Sequence, residues 1–199
     1  AVDNNIGDVI SQSFGEAESC ADPNLLKAEH QVFQQATKKG VTIFASSGDT
    51  GTAQSTCDGS SYILSASTPA SDPLVTSVGG TSLNADAISG KYIGETAWND
   101  VYGASGGGFS TIYKRPPFQY GVPNTRPGAR GVPDVAYNAD LNTGVLIVWS
   151  GSGAGPDQVI LAGGTSTASP QWAGIVALAD SAYGTRVGWI NGALYALGQ

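Results

Sequence analysis

Gly7-Asp8-Val9-Ile10-Ser11-Gln12-Ser13-Phe14-Gly15 is a short strand-forming run closed by a glycine, and the pattern beyond that glycine decides the fold. From Asn24 to Lys39 the apolar residues Leu25, Leu26, Val32, Phe33 and Ala36 recur at helical spacing, and Lys38-Lys39-Gly40 supplies a C-terminal stop. Val41-Thr42-Ile43-Phe44-Ala45 is then a buried strand. Strand, helix and strand of these lengths make a βαβ unit, so an α/β fold with a parallel sheet flanked by helices is expected. Binding chemistry in such sheets gathers at the carboxyl ends of the strands.

Further along, Leu74 to Val78 forms another strand, and Ala85 to Trp98 has the pattern of a surface hairpin turning at Ser89-Gly90. Val101 to Val132, rich in Gly, Pro and Tyr, is expected to be a long excursion with little regular structure. Leu146 to Trp149 and Gln158 to Ala162 pair as strands leading into a final long helix. With 199 residues, no linker and no repeat beyond one duplicated tetrapeptide, residues 1–199 are expected to form a single domain.

Sixteen acidic residues against nine basic ones leave a net charge of -7, which argues against nucleic acid and anionic membranes as partners. Only 13% of residues are charged, a surface suited to an acidic medium, and no apolar run of membrane-spanning length occurs. The chain begins with Ala1 and is expected to be a mature piece of something longer. Cys20 and Cys57 are expected to form a disulfide, as in exported proteins, tying the Phe14-Gly15 loop to the loop around Asp49. One histidine and two distant cysteines do not make a zinc site.

Chemistry concentrates in Gly163-Gly164-Thr165-Ser166-Thr167-Ala168-Ser169-Pro170, directly ahead of the apolar run Trp172 to Ala179. This places a hydroxyl nucleophile, Ser166, at the mouth of a helix expected to be buried, with Pro170 in its first turn. Free N–H groups at a helix start favour an anion forming beside Ser166, as acyl transfer requires. Gly79-Gly80-Thr81-Ser82 repeats the tetrapeptide but follows a strand and leads into no long helix, so Ser82 is a strand-and-turn residue. Asp49, in Ala45-Ser46-Ser47-Gly48-Asp49-Thr50-Gly51, leaves the end of the buried strand. Protonated, it donates a hydrogen bond to an oxyanion; ionised, it repels one. Aspartic side chains titrate near 3.9 in model peptides, so this role belongs to acid.

These stretches, with Pro69 to Thr81, Gly106-Gly107-Gly108-Phe109-Ser110 and Val132-Pro133-Asp134-Val135-Ala136, together resemble the sedolisins, the serine-carboxyl peptidases. They run in family order over nearly the whole chain. The resemblance implies a subtilisin-like α/β fold, incomplete at both ends, with Ser166 as nucleophile and Asp49 as oxyanion-hole donor in an acid-acting endopeptidase. Subtilisins proper carry an amide at the position of Asp49 and need a catalytic histidine. The sole histidine, His30, sits between Glu29 and Gln31 on the first helix and is expected to be an ordinary helix residue.

The family's activating glutamate and the aspartate behind it lie on a helix expected upstream of Ala1, so no residue here is assigned as base. Its calcium ligands are likewise expected beyond Gln199, leaving no cofactor within the chain. Ser13, Phe14 and Gly15 match the segment that pairs with the peptide backbone, a mode compatible with many sequences. Ser105, Gly106 and Gly107 are candidates to line the specificity pocket. The expected partners are a peptide or protein substrate and the missing parts of the same domain, in an extracellular or other acidic, oxidising compartment. The alternative is an inactive fragment that binds peptide or supports structure.

Overall fold

The computed structural model describes residues 1–123, 126–151 and 158–198. The chain opens with β1 (Val9–Gln12), a two-residue β2 (Glu16–Ala17), α1 (Pro23–Lys38) and β3 (Thr42–Ser46). Three short strands follow, β4 (Ala53–Ser55), β5 (Tyr62–Leu64) and β6 (Ser67–Thr68), then the long β7 (Thr76–Ala85) and β8 (Tyr92–Ala97). The second half holds β9 (Gly108–Lys114), β10 (Ala129–Val132), β11 (Val135–Asn138), β12 (Val145–Trp149), β13 (Gln158–Ala162), α2 (Thr165–Tyr183) and α3 (Asn191–Leu197).

The central sheet has the order β1-β3-β7-β11, with β8 paired to β7. The βαβ unit forms as its sequence implies: β1 and β3 are parallel, with Val9 opposite Thr42 and Gln12 opposite Ala45. α1 starts one residue before the apolar pattern because Asp22 caps it. The Asp22 side chain accepts from the N–H groups of Asn24 and Leu25, and Pro23 sits where no N–H is needed. All five residues of β3 are buried, as expected of a parallel strand covered on both faces. Alternation along β3 splits the core. Ile43 and Ala45 pack with Phe33 and Ala36 of α1, whereas Phe44 packs with Ala168 and Val176 of α2. The two long helices therefore lie on opposite faces of the sheet.

Three expectations need correction. β7 does not end at Val78 but runs on through Gly79-Gly80 to Ala85, where it pairs with β8. The Val101–Val132 excursion contains an antiparallel pair, β9 with β10; its residues 124 and 125 lie outside the described residues. That pair is anchored by the buried Arg130, which binds Asp134 through both terminal nitrogens. Burial disfavours the guanidinium charge, but the Asp134 carboxylate more than offsets this and raises its pKa. Finally, α2 is not buried all round: Ile175 is 42%, Leu178 73% and Tyr183 77% exposed.

Cys20 and Cys57 are bonded across 37 positions. Reducing this bond should lower the melting temperature. The chain-entropy model gives at most about 4 kcal/mol for such a loop, or about 2–4 °C per kcal/mol in a domain of this size. Melts with and without a thiol reductant check this, and coincident midpoints would show that the crosslink contributes nothing.

Candidate active site

The carboxyl ends of β1 and β3 meet the start of α2. β3 leads through Ser47 and Gly48 into Asp49, and the loop is clamped from one side by residues 104–107. Ala104 N–H donates to the Asp49 carbonyl at 3.0 Å, Gly106 N–H to the Gly48 carbonyl at 2.7 Å, and Gly107 N–H to the Gly51 carbonyl at 3.2 Å. Gly106 approaches so closely that a Cβ there would lie 2.1 Å from the Ser47 carbonyl oxygen, so no side chain fits. The Ser47 hydroxyl donates back to the Gly106 carbonyl at 2.8 Å. Ser105 turns inward, its hydroxyl accepting from the Gly80 N–H at 2.9 Å. Ser105, Gly106 and Gly107 thus form the wall that supports the Asp49 loop.

From the other side the loop is held by Thr165, the first residue of α2, which is fully buried. Asp49 Oδ1 accepts from the Thr165 N–H at 2.8 Å and lies 2.7 Å from the Thr165 hydroxyl. The Gly48 N–H donates to the same hydroxyl at 3.2 Å. Asp49 Oδ2 sits over Gly164, where a Cβ would come within 2.6 Å of it; with φ at +83° as well, this position demands glycine. The carboxyl of Asp49 and the turn carrying Ser166 are therefore in direct contact across 116 positions of sequence.

The sequence suggests several free N–H groups at the start of α2; the structure leaves one. Thr165 N–H is taken by Asp49, and those of Thr167 and Ala168 return to the Gly164 carbonyl. Ser166 N–H has no acceptor among the described residues. Neither does the half-buried Ser166 hydroxyl have a hydrogen-bond partner among them. A hydroxyl oxygen, a free N–H and a carboxyl oxygen, Asp49 Oδ2, are thus carried by one short turn and the loop bonded to it.

Of the expected peptide-binding segment, Phe14 is 65% exposed. Phe14 and Gly15 border a cavity of about 340 Å³ together with Leu25, Glu29 and Pro69. Burial, with Asp72 and Glu16 adding repulsion, raises the Glu29 pKa. A larger cavity of about 600 Å³, bordered by Asp134, Leu194 and Tyr195, includes neither Ser166 nor Asp49. Ser13 behaves differently from its neighbours: its hydroxyl donates to the Ser166 carbonyl at 2.8 Å.

His30 is on α1, across the sheet from α2, and its Nδ1 lies 2.7 Å from Oδ2 of the buried Asp72. It is a helix residue tied to a buried carboxylate and not a base for Ser166. Sequence reasoning missed the Asp72 partner and the part played by Thr165. Among the described residues no group of three or more His, Cys, Asp or Glu is arranged to hold a metal ion. The calcium implied by the resemblance is expected to be held by residues beyond Gln199. No helix among them is long and apolar enough to cross a membrane.

Comparison with known proteins shows the family. Residues 1–192 match the model of the subtilase family. Kumamolisin from Bacillus sp. (strain MN-32) is 38% identical over 197 residues, covering 95% of this chain and 34% of its own. Sedolisin from Pseudomonas sp. (strain 101) is 39% identical over 207 residues, covering 98% and 33%. The chain thus spans about a third of the length of these relatives. The solved structure of Pseudomonas sedolisin complexed with two molecules of pseudo-iodotyrostatin superposes with a TM-score of 0.86 at 37% identity, over 98% of this chain and 54% of that one. With its subtilisin-like α/β fold, the chain belongs to the subtilase family, and its likeness is to the sedolisin-type, serine-carboxyl peptidases.

Proposed function

We propose that these 199 residues are the central part of a peptidase domain. They carry the nucleophile and oxyanion site of an acid-acting serine endopeptidase of the serine-carboxyl class. The observation that carries this reading is the contact of Asp49 with Thr165, beside a Ser166 whose N–H and hydroxyl are unoccupied among the described residues. Ser166 Oγ attacks the scissile carbonyl and gives its proton to a carboxylate base supplied from outside this segment. The oxyanion accepts hydrogen bonds from the Ser166 N–H and from the neutral Asp49 carboxyl. Because Oδ1 already accepts from a backbone N–H, the proton of neutral Asp49 sits on Oδ2, the oxygen left to donate. Collapse expels the amine, which takes the proton back from the base, and leaves an acyl ester on Ser166 that water then hydrolyses.

Peptide or protein chains are the substrates, laid along Ser13-Phe14-Gly15 as an added strand, with Ser105, Gly106 and Gly107 forming the back of the pocket. The disulfide supports placing the protein outside the cell or in another acidic, oxidising compartment. Hydrolysis of casein by the full-length protein at acid pH, with internal fragments and not tripeptides as first products, tests the endopeptidase mode. A second reading, a catalytically silent peptide-binding module, draws on the absence of any base bonded to Ser166 Oγ among the described residues. Peptide binding without casein hydrolysis would select it.

A further inference from the structure

Pro170 is not in the first turn of α2, where the sequence suggests it, but is the sixth residue of a helix that starts at Thr165. A proline has no N–H, so in a helix interior the carbonyl four residues earlier loses its donor. That carbonyl belongs to Ser166. It is not left empty: the Ser13 hydroxyl, just past the end of β1, donates to it at 2.8 Å. Two residues earlier on the same face of β1, the Ser11 hydroxyl lies 2.8 Å from that of Ser169, which is fully buried. β1 thus meets the proline-bearing turn with two serines, and only Ser13 reaches the main chain of the nucleophile.

We infer that Ser13 is a positioning residue for Ser166, supplying the hydrogen bond that Pro170 withholds and so fixing the peptide plane that follows the nucleophile. The inference rests on the peptidase reading of the site. A carbonyl with no partner is free to tilt toward solvent, as at proline kinks, and that tilt rotates the Ser166 backbone, carrying its N–H and hydroxyl with it. Holding the carbonyl from β1 keeps both groups aimed at one place. It also joins the nucleophile to the segment proposed to bind the peptide backbone, since Ser13 precedes Phe14 and Gly15 directly.

The test is a double-mutant cycle on the full-length protein, read by melting and by kinetics at acid pH. Ser13→Ala should lower the melting temperature by about 2–4 °C and kcat by about tenfold, with KM nearly unchanged. Ser13→Thr, which keeps the hydroxyl, should recover most of both. In a Pro170→Ala background the restored N–H reaches the Ser166 carbonyl, and adding Ser13→Ala should cost less than half as much in each measurement. Equal losses in the two backgrounds would overturn the inference. So would a raised KM at unchanged kcat, which would make Ser13 a substrate contact alone. A melting effect without a kinetic one would reduce Ser13 to a structural cap and equally end the positioning role. Turnover that survives Ser166→Ala brings down the peptidase reading itself, a result the cycle does not mimic.

Discussion

Ser166→Ala is expected to abolish casein hydrolysis at acid pH, with a fall of about 10⁴-fold or more, because no acyl ester can form without the hydroxyl. Folding should survive. Ser166 is half-buried and its hydroxyl has no hydrogen-bond partner among the described residues, so its removal orphans nothing. The chain contains its own control. Ser82 closes the other Gly-Gly-Thr-Ser, but it lies within β7, opposite Thr96 of β8, and not at a helix start. Ser82→Ala should leave turnover near the unmodified level. A Ser166→Ala protein that still cleaves casein, or a Ser82→Ala protein equally dead, would mean that the tetrapeptide had been assigned wrongly.

The sequence carries the βαβ unit openly because each element announces itself: Gly15 and Gly40 mark ends, and Leu26, Phe33 and Ala36 recur at helical spacing and are buried. It hides the β9–β10 pair, since glycine and proline flank both strands and the partners are not adjacent in sequence. The exposed flank of α2 is hidden for another reason. Trp172 to Ala179 is apolar on every side, a pattern that signals burial all round, yet Leu178 faces solvent. At the site, Ser166 and Asp49 stand out because glycines and strand ends frame them. The bonds that organise them do not stand out. Thr165 to Asp49 and Ser13 to Ser166 span 116 and 153 positions, and no local pattern encodes contacts of that range. Pro170 is legible as a residue but not as a gap in the helix, because its effect depends on where the helix begins.

Removing the Asp49 carboxyl should be the next largest loss. With Asp49→Ala, one of two oxyanion donors disappears, and kcat should fall by about 10²–10³-fold with little change in KM. Asp49→Asn discriminates further. Its amide oxygen can accept from the Thr165 N–H and hydroxyl as Oδ1 does now, leaving the NH₂ where Oδ2 lies above Gly164. That donor does not titrate. On the proposed mechanism an ionised Asp49 repels the oxyanion and has no proton to give, so the unmodified protein is expected to lose activity as pH rises. The asparagine variant keeps its donor at every pH, so its activity should not share that decline. The acid limb, set by protonation of the external base, should stay in place. A pH–kcat series on the two variants measures this. If Asp49→Asn declines with rising pH just as the unmodified protein does, Asp49 is a loop anchor bound to Thr165 and the oxyanion relies on the Ser166 N–H alone.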